Sequence, residues 1–150
     1  MAATPGKSSI PAPCLDERIR LKDGRTLCYA EFGDPEGYPV IYFHGFPGSR
    51  LDPWPHHPIF SRQAIRIICP DRPGSGNSTP RPERQLIDYP PDILELANHL
   101  ELGKFGLLGV SGGGPYAIVC AREIPPEKLG VVGLLAPATP WRIDGQGPEG

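Results

Sequence analysis

Ser111 is the residue whose surroundings most plainly set up chemistry. It stands in Leu108-Gly109-Val110-Ser111-Gly112-Gly113-Gly114-Pro115, a Gly-x-Ser-x-Gly pattern. The apolar run Phe105 to Leu108 precedes it and the apolar segment Tyr116 to Ala121 follows it. A strand, a glycine-flanked serine and a helix in that order hold a hydroxyl on a sharp turn, as an activated nucleophile requires. Such a turn forces the serine into a strained backbone conformation. A side chain at Gly109 or Gly113 would then collide with the adjoining strand or helix. The helix that follows points free N–H groups and the positive end of its dipole at the reacting centre.

Two other readings of glycine-rich segments fail on spacing. A dinucleotide-binding loop needs G-x-G-x-x-G, and Ser111 occupies the middle glycine position. Gly6-Lys7-Ser8 ends like a phosphate-binding loop but lacks the earlier glycine and the preceding strand. The third alternative is a plain glycine-rich turn carrying an ordinary serine. A second motif upstream speaks against it: Val40-Ile41-Tyr42-Phe43-His44-Gly45-Phe46-Pro47-Gly48, an apolar strand running into His-Gly-x-Pro-Gly. A third is Ile65-Arg66-Ile67-Ile68-Cys69-Pro70-Asp71-Arg72-Pro73-Gly74-Ser75-Gly76-Asn77-Ser78, a buried strand ending in Asp-x-x-Gly-x-Gly-x-Ser.

With these three motifs in this order, the chain resembles the α/β-hydrolase family, in its branch with an HGxPG loop, over about residues 16 to 140. The resemblance implies Ser111 as nucleophile and an oxyanion hole made by the backbone N–H groups of Phe46 and Gly112. Two preorganised donors are needed because negative charge develops on the carbonyl oxygen in the transition state. Phe46 then matters by position, not by side-chain type. The resemblance makes His44 and Gly45 loop-supporting residues, together with Gly109 and Gly113, and does not make His44 the base. Asp71, at the end of its strand, reads as a short carboxylate accepting backbone N–H groups in a tight turn.

The rest of the chain has to position these residues. Asp23-Gly24 joins two strands, Arg18 to Leu21 and Thr26 to Phe32, as a hairpin. Val40 to Phe43, Ile65 to Cys69, Phe105 to Leu108 and Val131 to Ala136 read as further strands. The continuous apolar run Val40 to Phe43 suits a strand buried on both faces. A short helix is expected within residues 50–63, delayed or broken by Pro53, Pro55 and Pro58. Residues 72–90 read as a long polar loop. Pro91 to Leu102 reads as an amphipathic helix, with Ile93, Leu96, Ala97 and Leu100 on one stripe and Gly103 as its stop. Gly112 to Arg122 reads as the helix after the serine. Alternating strands and helices predict an α/β fold with a mostly parallel sheet covered on both faces. The expected fold class is an incomplete α/β-hydrolase fold, its first six strands with flanking helices.

Composition bounds the function. The 150 residues suffice for one modest domain, and 39% hydrophobic with 21% charged residues permit a core. A formal net charge of −2 without a long basic run argues against nucleic acid as partner. No apolar stretch reaches the length of a membrane span. Residues 1–15 read as a disordered, Ser/Pro/Ala-rich tail rather than a secretory signal, and residues 141–150 as the start of a lid or linker. Cys14, Cys28, Cys69 and Cys120 form no C-x-x-C, and the last three fall in apolar elements. They read as buried free thiols in a reducing, cytoplasmic setting without a metal site. The 21 prolines and 19 glycines cluster in loops. No cofactor is implied.

A serine nucleophile needs a base, and the base needs an orienting acid. The family resemblance orders them Ser, then Asp or Glu, then His. Here His44, His56, His57 and His99 all precede Ser111. His56 and His57 are expected to face solvent and His99 to lie on the outer face of its helix. After Ser111 the acids are Glu123, Glu127, Asp144 and Glu149. The chain therefore reads as the N-terminal portion of such a hydrolase, lacking the last two strands, most of the lid, the acid and the histidine. Val131 to Ala136 would then be an exposed apolar sheet edge, open to self-association and to marginal folding. Two functions remain open on these grounds. One is a serine hydrolase acting on an ester, lactone or small amide, impaired in this form. The other is a non-catalytic protein or binding module keeping the fold's first half. Serine at the turn, where an aspartate would stand, argues against an epoxide hydrolase or a haloalkane dehalogenase.

Overall fold

The computed structural model describes residues 10–138. Six strands form one sheet: β1 (Cys14–Arg20), β2 (Thr26–Gly33), β3 (Tyr38–Phe43), β4 (Ile65–Pro70), β5 (Phe105–Val110) and β6 (Leu129–Leu135). Their order across the sheet is β1-β2-β4-β3-β5-β6. β1 and β2 are an antiparallel hairpin, and β2 is antiparallel to β4. From β4 onward every neighbouring pair is parallel. Three helices make the crossovers: α1 (His57–Arg62), α2 (Pro90–His99) and α3 (Gly114–Glu123).

This order fixes where chemistry can sit. From β3 the chain steps to β4 on one side. From β4 it passes over β3 to β5 on the other. In open parallel sheets the crevice at such a reversal lies beyond the carboxyl ends of the strands and receives the ligand. His44 follows β3, Asp71 follows β4 and Ser111 follows β5, so all three motifs open onto that edge.

Strand alternation fills both faces. Ile41 and Phe43 of β3 and Ile68 of β4 join α2 and α3 in the larger core, with Ile93, Leu96, Ala97, Ala117 and Cys120. Ile67 and Cys69 point the other way, with Ala30 and Phe32, and are covered by Leu51 and Phe60. The three cysteines read as buried are buried and free, whereas Cys14 is exposed. β6 packs against β5 on one side. Val131 and Leu135, 57% and 60% exposed, lie near its unpaired edge among the described residues.

Several boundaries differ from the expectation, each for a local reason. β1 reaches back to Cys14, inside the stretch read as tail, because its backbone pairs with β2 as far as Glu31. α2 ends at His99 rather than Leu102, and the stop is not Gly103. Glu101 takes the left-handed conformation (φ 53°). The Leu102 N–H then donates to the Ala97 carbonyl at 2.9 Å and the Glu101 N–H to Asn98 at 3.1 Å. This is the paired closure of a helix end usually completed by glycine. The first turn after Ser111 is a tight 3-10 turn (Ser111–Gly113), and α3 starts at Gly114. β6 spans Leu129–Leu135, and Ala136, expected within it, turns left-handed (φ 42°).

His57 overturns the solvent-facing expectation: it is 7% exposed. Its Nδ1 accepts the Gly33 N–H at 2.8 Å, and its Nε2 donates to the Pro11 carbonyl at 2.8 Å. The proline-rich approach delivers the start of α1 onto the end of β2, and the ring closes that corner with its edge to Phe32.

Candidate active site

Ser111 sits in the bend between β5 and α3 with φ 49°. That is the left-handed region, which costs an L-residue roughly 1–2 kcal/mol. The conformation is held from both sides. A Cβ placed on Gly109 would lie 2.7 Å from the Ala117 Cβ and 2.9 Å from the Gly113 carbonyl. One placed on Gly113 would fall onto the Phe43 carbonyl. Glycine at these positions lets the start of α3 close against the ends of β5 and β3.

The His-Gly-x-Pro-Gly loop meets this bend directly. A Cβ on Gly45 would stand 3.5 Å from the Ser111 Cβ and 3.9 Å from its Oγ. A Cβ on Gly112 would stand 3.2 Å from the Phe46 nitrogen. The backbone of Phe46 therefore lies alongside that of Gly112, one residue past the serine. Phe46 is 83% exposed among the described residues, so burial of its side chain does not explain the residue.

His44 is fully buried. Its Nδ1 lies 2.9 Å from the Gly45 carbonyl, and its Nε2 has no hydrogen-bond partner among the described residues. With Nδ1 as the donor, Nε2 is a bare acceptor. Burial, and next the positive charge of Arg72, hold the imidazole below the usual histidine range. The other histidines lie elsewhere: His56 and His99 are exposed and His57 is bonded at the end of β2. No histidine is hydrogen-bonded to Ser111 among the described residues. Asp144 and Glu149 lie outside those residues.

Asp71 is fully buried. Its carboxylate accepts the Arg50 N–H and the Arg50 guanidinium, both at 2.8 Å, and the Asn77 N–H at 3.3 Å. A Cβ on Gly76 (φ +50°) would strike that carboxylate, so the turn wraps it closely. The Asp71 carbonyl accepts the Ser78 hydroxyl, which in turn accepts the Cys28 N–H.

Two contributors were not singled out from sequence. Arg72, 6% exposed, donates to the His44 carbonyl at 2.6 Å and to the Gly45 carbonyl at 2.8 Å. Its guanidinium lies 4.9 Å from the centre of the Tyr116 ring. Tyr116 also packs edge-to-face with the buried Tyr89 and accepts a hydrogen bond from Arg84 at 2.9 Å. Sequence carries no residue-type signal for Arg72, because its partners are main-chain carbonyls. The second is Ala138, whose N–H donates to the Ser111 carbonyl at 2.8 Å and so brings the chain after β6 back over the bend. Among the described residues, no group of three or more His, Cys, Asp or Glu side chains is gathered as metal ligands would be.

Sheet order and bend together define an α/β hydrolase. Residues 38–144 match the family described as alpha/beta hydrolase fold, and the chain belongs to that family. Its six strands correspond to the N-terminal portion of that fold. A proline iminopeptidase of Arabidopsis thaliana is 30% identical over 123 residues, which are 80% of this chain and 32% of that protein. An acetyltransferase component of the acetoin cleaving system of Pseudomonas putida is 33% identical over 117 residues, 77% of this chain and 31% of that protein. The chain thus spans about a third of the length of these curated relatives. Among solved structures, a thermophilic esterase from Thermogutta terrifontis superposes with a TM-score of 0.69 at 30% identity, over 83% of this chain and 46% of that one. The epoxide hydrolase CorEH superposes with a TM-score of 0.76 at 24% identity, over 88% and 45%, a likeness of fold alone.

Proposed function

We propose that this chain carries the nucleophile and the oxyanion hole of a serine hydrolase acting on an acyl compound: an ester, a lactone or a small amide. Ser111 Oγ attacks the carbonyl carbon. The carbonyl oxygen becomes an oxyanion received by the N–H groups of Phe46 and Gly112. Removing one such donor costs about 100- to 1,000-fold in rate. The observation that carries the reading is the contact between the left-handed Ser111 bend and the Gly45–Phe46 backbone. A plain glycine-rich turn has no reason to lie against a second loop whose Phe46 side chain stays exposed. Hydrolases and a proline iminopeptidase among the similar proteins support the same class. The family resemblance places base and acid later in the chain than Ser111, so hydrolysis by residues 1–150 alone is slow.

The test is covalent labelling of the chain by a fluorophosphonate, with Ser111→Ala as control, followed by a panel of p-nitrophenyl acetate, a lactone and a prolyl amide. Labelling at Ser111 that vanishes in Ser111→Ala, with weak turnover of one panel member, is the expected result. Fast turnover that survives Ser111→Ala refutes the assignment. A second reading, a non-catalytic member of the family acting as a binding module, draws on the absence of any histidine bonded to Ser111 among the described residues. A Ser111 that stays unlabelled in a folded chain even with free imidazole supplied as external base decides in its favour.

A further inference from the structure

Arg72 is a buried cation with no carboxylate within ion-pair distance among the described residues. A buried charge without a counter-charge is costly unless its protons are well bonded. Here they are taken up by two carbonyls in succession, His44 and Gly45, and its guanidinium is seated on the Tyr116 ring. Neither carbonyl is arbitrary. The Gly45 carbonyl belongs to the same peptide group as the Phe46 N–H. In a trans peptide the two point in opposite directions. Fixing that carbonyl on Arg72 therefore turns the N–H away from Arg72, to the side where Gly112 stands. The same carbonyl also faces His44 Nδ1, so both its lone pairs are engaged.

We infer that Arg72 is a positioning residue for the oxyanion hole: it orients the Gly45–Phe46 peptide and strengthens the Phe46 N–H as a donor. A cation bonded to the carbonyl end draws electron density through the amide and leaves more positive charge on its proton. Hydrogen bonds linked in series in this way reinforce one another by about 10–30% each. Tyr116 serves the same purpose from behind by holding the guanidinium plane in register with the two carbonyls. This inference rests on the serine-hydrolase reading for its consequence in rate, but not for its geometry.

The experiment compares the 150-residue chain with its Arg72→Met and Arg72→Lys variants by two readouts. The first is the amide proton and nitrogen resonance of Phe46 in the 15N-labelled protein. It should move upfield in Arg72→Met and part of the way in Arg72→Lys, which keeps a charge but cannot reach both carbonyls as a fork. The second is fluorophosphonate labelling of Ser111. The rate at saturation should fall by about 100-fold in Arg72→Met, the effect of a misplacement of about 1 Å, with half-saturation unchanged. An unmoved Phe46 resonance overturns the inference whatever the rate does. A moved resonance with undiminished labelling also overturns it. If the unsubstituted chain is not labelled even with free imidazole as external base, the hydrolase reading fails and the Phe46 resonance alone decides the role of Arg72. If Arg72→Met does not fold, the same two readouts on Arg72→Lys carry the decision.

Discussion

Replacing Gly113 by alanine tests whether the bend and the neighbouring loop are as tightly joined as the geometry says. The added carbon meets three backbone atoms of two carbonyl groups: the Phe43 carbonyl oxygen, the Phe43 carbonyl carbon at 2.6 Å and the His44 carbonyl oxygen at 2.8 Å. An ordinary contact needs about 3.5 Å, so even the most distant of the three demands a separation of about 0.7 Å more than exists. No rotamer change relieves this, because every obstructing atom is main chain. Overpacking of this kind costs about 1–3 kcal/mol. For a chain of this size that lowers the thermal midpoint by about 2–12 °C. The start of α3 must also draw away from residues 43–44, and the Phe46 N–H is carried by the same loop. Ser111 labelling should therefore fall by more than the loss of stability accounts for. Gly103→Ala is the matched control: a Cβ there meets nothing within 4 Å. Its midpoint should stay level or rise by up to about 1 kcal/mol of added stability. Circular dichroism melts of the three proteins and their labelling rates decide the matter. A Gly113→Ala protein that melts and labels like the unsubstituted chain refutes the close approach.

His44 supplies a pH prediction. Its folded-state pKa lies below the unfolded one, so the unfolded chain takes up the proton first, at about pH 6.5, and stability is lost as pH falls through that value. The loss should be smaller in His44→Asn, and equal slopes of thermal midpoint against pH between about 7.5 and about 5.5 would contradict it. The cysteines supply another. Burial pushes the thiols of Cys28, Cys69 and Cys120 up, while Cys14 is exposed. Iodoacetamide applied to the native protein should modify Cys14 first by peptide mass mapping, and Cys69 reacting at the same rate would show that the sheet does not shield it.

What could be read from sequence followed from features that local chemistry dictates. Gly109 and Gly113 flank a serine because backbone elsewhere needs their space, and that need is written in residue type. The apolar run of β3 announced a strand packed on both faces, and the two cores bear this out, with Ile41 and Phe43 in one and Val40 and Tyr42 against the other. Errors arose where position, not type, decides. His57 stands among prolines and has the look of a surface residue, but α1 lands it against Gly33 and Pro11, contacts set by how the chain folds back. Glu101 closes α2 in a conformation usually left to glycine, and the nearby Gly103 drew attention two residues too far along. Arg72 was invisible as a site residue because its partners are carbonyls, which every residue possesses.

That last point explains how the oxyanion loop is held. Phe46 projects into solvent, so apolar packing does not fix the loop. The chain arriving from β3 presents carbonyls at His44 and Gly45, and only a donor can hold them. The chain leaving presents an N–H at Arg50, and only an acceptor can hold that. Arg72 and Asp71, adjacent in sequence at the end of β4, meet the two demands with opposite charges. Because β4 is the parallel neighbour of β3, both residues reach the loop from the same turn. Exchanging the two would set a carboxylate against carbonyls and a guanidinium against an N–H. The order acid then base at this strand end is thus a requirement of the loop's polarity, and Asp71→Arg combined with Arg72→Asp should not refold to a chain whose Ser111 can be labelled.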